Sequence, residues 1–346
     1  MNKVRVGVIG VGHMGSRHAR VCFENPLAEL IAVVSIDESE AKRVAKMYRA
    51  KAYTDYEEML TKEKLDAVFV STPDHLHRAP VVRAAEEGLH VFCEKPLAHA
   101  LEDADAMIDA TRKAGVKFMV GYILRFDPRY AAIKDAINEG NLGKPLTVYS
   151  RRMASKAGVK KIKWKAYPEL YLAVHDLDLA LWYIDDEPTR VIGENLKADL
   201  YVEKGIPDAI WILVRFKSGS LAVVEAGWML TEKIVGWTRP STWKPFGDVQ
   251  LEVIGRKGSV YLNYSPMCLK AIDEEGWKFP ETFHWPELHG KLTGNIVKEH
   301  EHFYMAILND EEPLVTGDVA RKSLEIALAS RISAEQEHPV SLPLSR

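Results

Sequence analysis

The chain has 346 residues, of which 47% are hydrophobic and 27% are charged, and its formal net charge at pH 7 is -3. This length and composition are typical of two globular domains, and the charge excludes a basic surface for nucleic acid. No apolar stretch reaches the roughly eighteen residues of a membrane span, and no signal peptide is recognisable. The cysteines Cys22, Cys93 and Cys268 have no metal-ligand spacing, so no metal site and a cytoplasmic location are expected.

Residues 1–124 alternate between short apolar runs and amphipathic segments. The runs predict strands at Val4–Ile9, Glu29–Val34, Ala50–Tyr53, Ala67–Val70, Leu89–Cys93 and Lys117–Val120. The intervening segments predict helices at Ser16–Phe23, from Glu38, and at Tyr56–Leu60, Ala79–Glu87 and Leu101–Ala114. This alternation favours an α/β Rossmann domain, a doubly wound parallel sheet with ligands at the carboxyl ends of its strands.

The loop after the first strand has the pattern Gly10-x-Gly12-x-x-Gly15, with His13 and Met14 between the last two glycines. Glycines at this spacing allow a tight turn and close backbone approach to a pyrophosphate at a helix start. We therefore expect this loop to bind a dinucleotide, although a glycine-rich turn without a ligand has the same pattern.

The end of the second strand decides between NAD and NADP. An acidic residue about twenty positions after the glycines usually binds the ribose hydroxyls, but the count from Gly15 reaches Ser35, and Asp37 lies two residues further. A serine leaves room for a 2′-phosphate, whereas Asp37, Glu38 and Glu40 make the neighbourhood negative. NAD is favoured over NADP, and Asp37 is either a ribose ligand or the N-cap of the next helix.

Two further loops lie at the same predicted sheet edge. Ser71, Thr72 and Pro73 are expected along the dinucleotide, with His77 either a contact to it or a structural residue, and Glu94-Lys95-Pro96 follows the fifth strand. A lysine at this edge is able to bond a substrate hydroxyl and relay its proton as a hydride leaves the same carbon. Lys95 is therefore the predicted catalytic residue, with Glu94 beside it at the cofactor.

In this order, the motifs resemble those of the Gfo/Idh/MocA family of oxidoreductases. The resemblance rests on the glycine loop, on Ser71-Thr72-Pro73 with His77, and on three longer segments: Gly88–Pro96, Gly121–Pro128 with Arg125, and His175-Asp176-Leu177-Asp178. It implies a C-terminal substrate domain with a large open sheet, hydride transfer at a secondary alcohol of a sugar or polyol, and a homodimer or homotetramer. It also implies that Lys95 and His175 act at the substrate, with Arg125 close by.

Residues 125–346 have the pattern of an α+β domain for substrate binding and oligomerisation. A helix is predicted at Pro128–Glu139, followed by alternating runs at Leu146–Arg152, Ala209–Phe216, Leu221–Trp228, Val249–Ile254 and Ser259–Tyr264. These runs predict a mostly antiparallel sheet with helices on one face. The other face is expected to pack against another subunit.

A helix predicted at Glu169–Tyr183 carries Tyr171, His175 and Asp178 on one face. His175 is a candidate general base, and Asp178 is either a substrate ligand or a helix-anchoring acid. Members of the resembled family commonly have an aspartate where this chain has Tyr171, so Tyr171 either donates to the substrate or packs. The lysine-rich segment Lys156–Lys165 contains Trp164 and is either a flap over the substrate or a solvated basic loop.

Three functions remain open at this point. The first is an NAD(P)-dependent dehydrogenase of an inositol-like polyol, an aldose or a uronate. The second is a non-catalytic dinucleotide-binding regulator, and the third is a redox-neutral glycoside hydrolase that keeps its NAD bound. Because Lys95 and His175 are both present, the dehydrogenase is favoured, with the site expected in the cleft between the domains.

Overall fold

The computed structural model describes residues 3–160, 162, 165–230, 247–263, 271–273, 276–278 and 282–344. The chain divides into two compact units, one made of residues 1–126 and 287–321 and the other of residues 127–286 and 322–346. Nothing in the residue pattern indicated that residues 287–321 belong with the first unit. Within the described residues, no helix combines the length and apolar composition that a bilayer-spanning helix needs.

The sheet of the first unit has six parallel strands. They are Val4–Ile9 (β1), Ala28–Val34 (β2), Lys51–Tyr53 (β3), Ala67–Val70 (β4), His90–Cys93 (β5) and Phe118–Val120 (β6). Their order is β3-β2-β1-β4-β5-β6. The chain adds β2 and β3 on one side of β1, and it then returns to add β4, β5 and β6 on the other side. Val6, Val8 and Phe69 are fully buried because helices cover both faces. The predicted Rossmann fold is confirmed, and its switch point brings the ends of β1 and β4 together.

The helices of this unit follow the strands as predicted. They are Gly15–Glu24 (α1), Glu38–Tyr48 (α2), Tyr56–Lys62 (α3), Arg78–Glu86 (α4) and Leu101–Ala114 (α5), with 3-10 turns at Asp74–Leu76 and Ile123–Phe126. Asp37 is the N-cap of α2, and its side chain accepts hydrogen bonds from the backbone N–H groups of Ser39 and Glu40. α1 buries one face, which includes His18 and Cys22.

The second unit is built on a seven-stranded mixed sheet. Its main strands are Pro145–Ser155 (β7), Pro188–Leu196 (β8), Ala209–Phe216 (β9), Leu221–Leu230 (β10), Asp248–Gly255 (β11) and Ser259–Asn263 (β12). Short strands follow at Ala271–Asp273 (β13), Gly276–Lys278 (β14), Glu287–Leu288 (β15), Lys291–Leu292 (β16) and Val340–Ser341 (β17), of which β15 and β16 lie in the first unit. The order is β12-β11-β7-β10-β9-β8-β17, and only β7 and β10 pair in parallel among the strands described.

One face of this sheet is covered, as predicted. On β9, Ile210 and Ile212 are buried whereas Trp211 points the other way and is 37% exposed. On β8, a Cβ at Gly193 would lie 2.0 Å from the carbonyl oxygen of Ser330, so only glycine allows this approach of a helix. The remaining helices are Pro128–Asn138 (α6), Lys156–Lys160 (α7), Val174–Ile184 (α8), Asp199–Lys204 (α9), Asn295–Leu308 (α10) and Gly317–Gln336 (α11), of which α10 lies in the first unit.

The helix predicted at Glu169–Tyr183 differs in its first turn. Residues Glu169–Ala173 form a π-helical turn, and the α-helix α8 begins at Val174. The prediction of one regular α-helix was therefore wrong for this turn. The wider turn buries Leu170 and Ala173 in the core, and π-turns of this kind often lie next to functional residues.

Candidate active site

The glycine loop leaves one stretch of backbone open for a ligand. Gly10 has a φ of +84°, and a Cβ at Gly15 would lie 1.7 Å from the carbonyl oxygen of Gly10, so both glycines are needed for the turn itself. A Cβ at Gly12 would meet no atom within 4 Å. The backbone at Gly12, with the start of α1 behind it, is therefore accessible to a pyrophosphate, and His13 beside it is exposed.

Two hydroxyl groups beside this loop are buried without a hydrogen-bond partner in the described part of the chain. They belong to Ser71 and Thr72, at the carboxyl end of β4. Buried polar groups are normally bonded, so unbonded ones at a ligand edge indicate a polar ligand. Ser71 packs directly against Gly10, because a Cβ added to that glycine would lie 2.9 Å from the Ser71 carbonyl. The residues at this edge therefore fit a bound dinucleotide.

His77 holds the neighbouring loops together. Its ring nitrogens lie 3.2 Å from the carbonyl oxygen of Leu97 and 2.9 Å from that of Thr72. Burial lowers its pKa, and these carbonyl contacts only partly oppose that effect. His77 therefore connects the loop after β4 to the loop after β5, which supports a structural role.

The Glu94-Lys95-Pro96 segment is anchored through Glu94. Glu94 is buried, and its Oε2 accepts a hydrogen bond of 3.0 Å from the backbone N–H of Lys95. Lys95 itself is half-buried, and its peptide bond to Pro96 is cis. Burial raises the pKa of Glu94, but the hydrogen bond from His18 and the charge of Lys95 outweigh burial and leave that pKa below its ordinary value. An ionised carboxylate therefore lies next to the predicted catalytic lysine.

A buried chain of polar side chains continues from Glu94 into the core. His18 Nε2 lies 2.8 Å from Glu94 Oε1, and His18 Nδ1 lies 2.7 Å from His300 Nε2. His300 Nδ1 lies 3.0 Å from the hydroxyl of Tyr304, which donates to Cys22 Sγ at 3.2 Å. The sequence motifs did not identify His18 or His300. The available signal was weak: His18 comes three residues after Gly15 on the buried face of a predicted helix.

Arg125, predicted at the substrate, is buried in the 3-10 turn Ile123–Phe126. One of its guanidinium nitrogens lies 3.4 Å from the carbonyl oxygen of Leu314. This contact links two segments of the first unit, and the substrate role of Arg125 stays a prediction.

In the second unit, the π-turn comes directly before the helix α8, which carries His175. Tyr171 packs against the apolar cluster that contains Trp228, with the two ring centroids 6.5 Å apart. Trp228 is itself buried and donates its indole N–H to the carbonyl oxygen of Ala166 at 3.0 Å. These contacts support the packing alternative for Tyr171. His175 is half-buried, whereas Asp178 is buried.

An ion pair next to His175 fixes the start of α8. Arg152 on β7 donates to both carboxylate oxygens of Asp176, at 2.6 and 3.1 Å. Both side chains are nearly inaccessible to solvent. Burial lowers the pKa of Arg152, but the attraction of Asp176 is stronger and raises it. Asp176 is thus a structural anchor that holds the residue before it in position.

Part of the lysine-rich segment can be placed. Lys156 begins α7 and pairs with Asp199 at 2.8 Å, which supports a solvated basic surface at that point. Trp164 lies outside the described residues, so its predicted contact with the substrate stays a prediction.

Comparisons with known proteins identify the family of the chain. A family model described as "Oxidoreductase family, NAD-binding Rossmann fold" matches residues 4–122, and a model described as "GFO/IDH/MocA C-terminal domain" matches residues 130–261. The fold and the glycine loop therefore define an NAD-binding oxidoreductase. The chain belongs to the GFO/IDH/MocA family, which confirms the resemblance seen in its motifs, and the first model confirms the expected NAD cofactor.

Several relatives match along nearly the whole chain. A myo-inositol 2-dehydrogenase of Thermotoga maritima is 29% identical over 98% of both chains, and a scyllo-inositol 2-dehydrogenase (NAD(+)) of Bacillus subtilis is 29% identical over 100% of this chain and 98% of its own. A 2,7-anhydro-N-acetylneuraminate hydratase of Mediterraneibacter gnavus is 27% identical over 99% and 97%. In fold, the chain is similar to a scyllo-inositol dehydrogenase of Lactobacillus casei, with a TM-score of 0.83 at 22% identity over 98% and 99% of the two chains.

Proposed function

We propose that the protein is an NAD-dependent dehydrogenase that oxidises a secondary alcohol of a cyclic polyol of the inositol class. The observation that carries this proposal is Lys95, held by an ionised Glu94 at the sheet edge that also carries the open glycine loop. Relatives named as inositol dehydrogenases, 29% identical over almost the full chain, support the substrate class.

In this proposal, Gly12, Ser71 and Thr72 hold the dinucleotide, which when bound accepts a hydride from the alcohol carbon. Lys95, as an ammonium group, donates a hydrogen bond to the alcohol oxygen, and it passes one of its own protons to solvent as it takes the alcohol proton. His175 is the proposed general base of this reaction. Since Tyr171 packs against the apolar cluster that contains Trp228, no aspartate orients His175 from that position, and Lys95 carries a larger share of the proton transfer.

The test is a panel of inositols, aldoses and uronates assayed with NAD and with NADP by the absorbance of reduced nicotinamide. Turnover of a cyclic polyol with NAD is expected. Lys95→Ala should bind NAD with unchanged affinity and lose nearly all turnover, whereas Lys64→Ala, an exposed lysine, should behave as the parent. Near-normal turnover of Lys95→Ala would remove Lys95 from the mechanism.

The relative named as a hydratase favours a second candidate, a redox-neutral reaction in which the bound NAD is regenerated in each cycle. Purified protein would then retain its NAD through gel filtration, and no reduced nicotinamide would accumulate. Free exchange of NAD together with net reduction by a polyol supports the dehydrogenase.

For the assembly, we propose a homodimer or homotetramer formed through the open face of the second-unit sheet. Large side chains remain exposed on this sheet, including Trp211, Ile254 and Tyr261, which is 64% exposed. Large exposed apolar side chains on an uncovered sheet face are available to pack against another subunit. Sedimentation of Trp211→Glu should show a smaller species than the parent.

We further propose a cytoplasmic location, supported by the free, buried thiols of Cys22 and Cys93.

A further inference from the structure

The end of β2 lacks the carboxylate that usually recognises the ribose of NAD. Ser35 follows β2 directly, is buried, and lies beside the glycine loop, since the backbone N–H of Gly10 donates to the carbonyl oxygen of Val34 at 2.9 Å. Ile36, the next residue, is almost completely exposed and carries no charge. Neither residue is able to repel a 2′-phosphate, so the preference for NAD needs another source.

Two of the three nearby carboxylates are already engaged elsewhere. Asp37 accepts hydrogen bonds from the backbone N–H groups of Ser39 and Glu40 and from the Ser39 hydroxyl, so its Oδ1 is directed at the start of α2. Glu38 is exposed and pairs with Lys42 at 2.7 Å on the helix surface. Glu38 and the Oδ1 atom of Asp37 are therefore engaged with the helix.

The third carboxylate reaches back to the end of β2. The Ser35 hydroxyl donates to Glu40 Oε2 at 2.8 Å, and Glu40 is half-buried. This bond holds the carboxylate of Glu40 next to the position where an aspartate following β2 would carry its own. A carboxylate there accepts hydrogen bonds from the 2′- and 3′-hydroxyls of a ribose. It repels a phosphate that is attached at the 2′ position.

We propose that Glu40, held by Ser35, is the residue that binds the adenosine ribose of NAD and excludes the 2′-phosphate of NADP. The proposal rests on dinucleotide binding and not on the identity of the polyol. Recognition of the ribose, which a single aspartate at the strand end usually performs, would then involve two residues. Ser35 lies at the strand end and holds the side chain of Glu40, and Glu40 provides the negative charge from the first turn of α2.

The test is a titration of the purified protein with NAD+ and NADP+, followed by quenching of tryptophan fluorescence or by calorimetry. The parent should bind NAD+ more tightly than NADP+. Glu40→Gln, which is isosteric, should weaken NAD+ binding by about tenfold and strengthen NADP+ binding, since a charged hydrogen bond and a charge repulsion are both lost. Glu38→Gln, in the same first turn of the helix, should leave both affinities unchanged.

A rescue variant separates recognition from general damage to the loop. Adding Ser35→Asp to Glu40→Gln restores a carboxylate at the strand end and should restore the preference for NAD+. The proposal would be overturned if the ratio of NAD+ affinity to NADP+ affinity in Glu40→Gln stayed within twofold of the parent's ratio. It would also be overturned if Glu38→Gln changed this ratio as much as Glu40→Gln does. A parent that binds neither dinucleotide would overturn the cofactor assignment itself and this proposal with it, whereas a lack of polyol turnover with normal NAD+ binding would count only against the proposed substrate.

Discussion

His18 and Glu94 form a buried hydrogen-bonded pair, with His18 Nε2 lying 2.8 Å from Glu94 Oε1 beneath the predicted catalytic lysine. His18 is fully buried, and Glu94 Oε2 in turn accepts from the backbone of Lys95. Because Glu94 is an acceptor, the histidine nitrogen that faces it carries the proton. The pair therefore connects α1, which follows the glycine loop, to the segment that carries Lys95.

The first prediction concerns the hydrogen bond that His18 donates to Glu94. His18→Asn places its amide near the original Nδ1 and removes the donor to Glu94, so that burial dominates and the pKa of Glu94 rises. Glu94 then becomes protonated at a higher pH, and the acid limb of the kcat profile should move to higher pH. His18→Gln keeps a donor near Nε2 and should show a smaller shift.

The affinity for NAD provides the control for these two variants, because a general distortion of the glycine loop would weaken it in both. We expect NAD affinity to change by less than about twofold in His18→Gln. Equal pH profiles for His18→Asn and His18→Gln would mean that the donor to Glu94 has no role in the reaction.

The second prediction concerns the two kinds of glycine in the dinucleotide loop. Gly12→Ala adds a methyl group in open space, so the fold should be retained while NAD binding falls, since the methyl group occupies the position of the pyrophosphate. Gly15→Ala would place its Cβ 1.7 Å from the carbonyl oxygen of Gly10, so it should reduce the melting temperature as well. Differential scanning fluorimetry with and without NAD separates the two; equal melting temperatures of the two apo variants would contradict the distinction.

Much of this site could be predicted from local sequence. The glycine loop and Lys95 follow short buried strands, and parallel topology brings the carboxyl ends of β1, β4 and β5 to one edge. The pattern in the second unit also predicted a sheet with one covered face. These features depend on residues close together in sequence, or on a rule that applies to every doubly wound sheet.

The features that the sequence did not reveal depend on long-range contacts or on side-chain direction. His300 reaches His18 across 282 residues, and its segment had no strand or loop motif to mark it. Glu40 was noted only as part of a negative neighbourhood, because its orientation toward Ser35 depends on the geometry of the first turn of α2. The π-turn before His175 is likewise invisible to a periodicity of 3.6 residues.

The third prediction concerns the ion pair beside His175. Asp176→Asn leaves the guanidinium of Arg152 buried without its counter-charge, so the free energy of unfolding should fall by about 3–5 kcal/mol. Glu38→Gln breaks the exposed pair with Lys42 and should cost less than about 1 kcal/mol. Urea denaturation at pH 7 measures both.

The double variant Arg152→Met/Asp176→Leu should recover most of the lost free energy of unfolding, because no charge then remains buried. A double variant as unstable as Asp176→Asn would show that packing, and not charge, accounts for the loss of stability.

The fourth prediction uses the buried carboxyl of Glu299, on α10 in the first unit. Glu299 is 1% exposed, and its Oε1 has no hydrogen-bond partner in the described part of the chain. Burial, together with the negative charge of Glu94, raises its pKa well above the ordinary value, so the folded protein keeps a proton that the unfolded chain releases. Above the unfolded pKa, the folded state therefore loses stability as pH rises, by about 1.4 kcal/mol per pH unit until the folded carboxyl ionises.

Glu299→Gln removes this titration, because an amide has no proton to retain. The variant should have nearly the stability of the parent at pH 5 and become progressively more stable than the parent toward pH 8, with the exposed Glu312→Gln as the control. Urea denaturation at four pH values across this range gives the slope. If parent and variant lose stability in parallel, Glu299 is ionised in the folded protein, and the prediction of a retained proton is wrong.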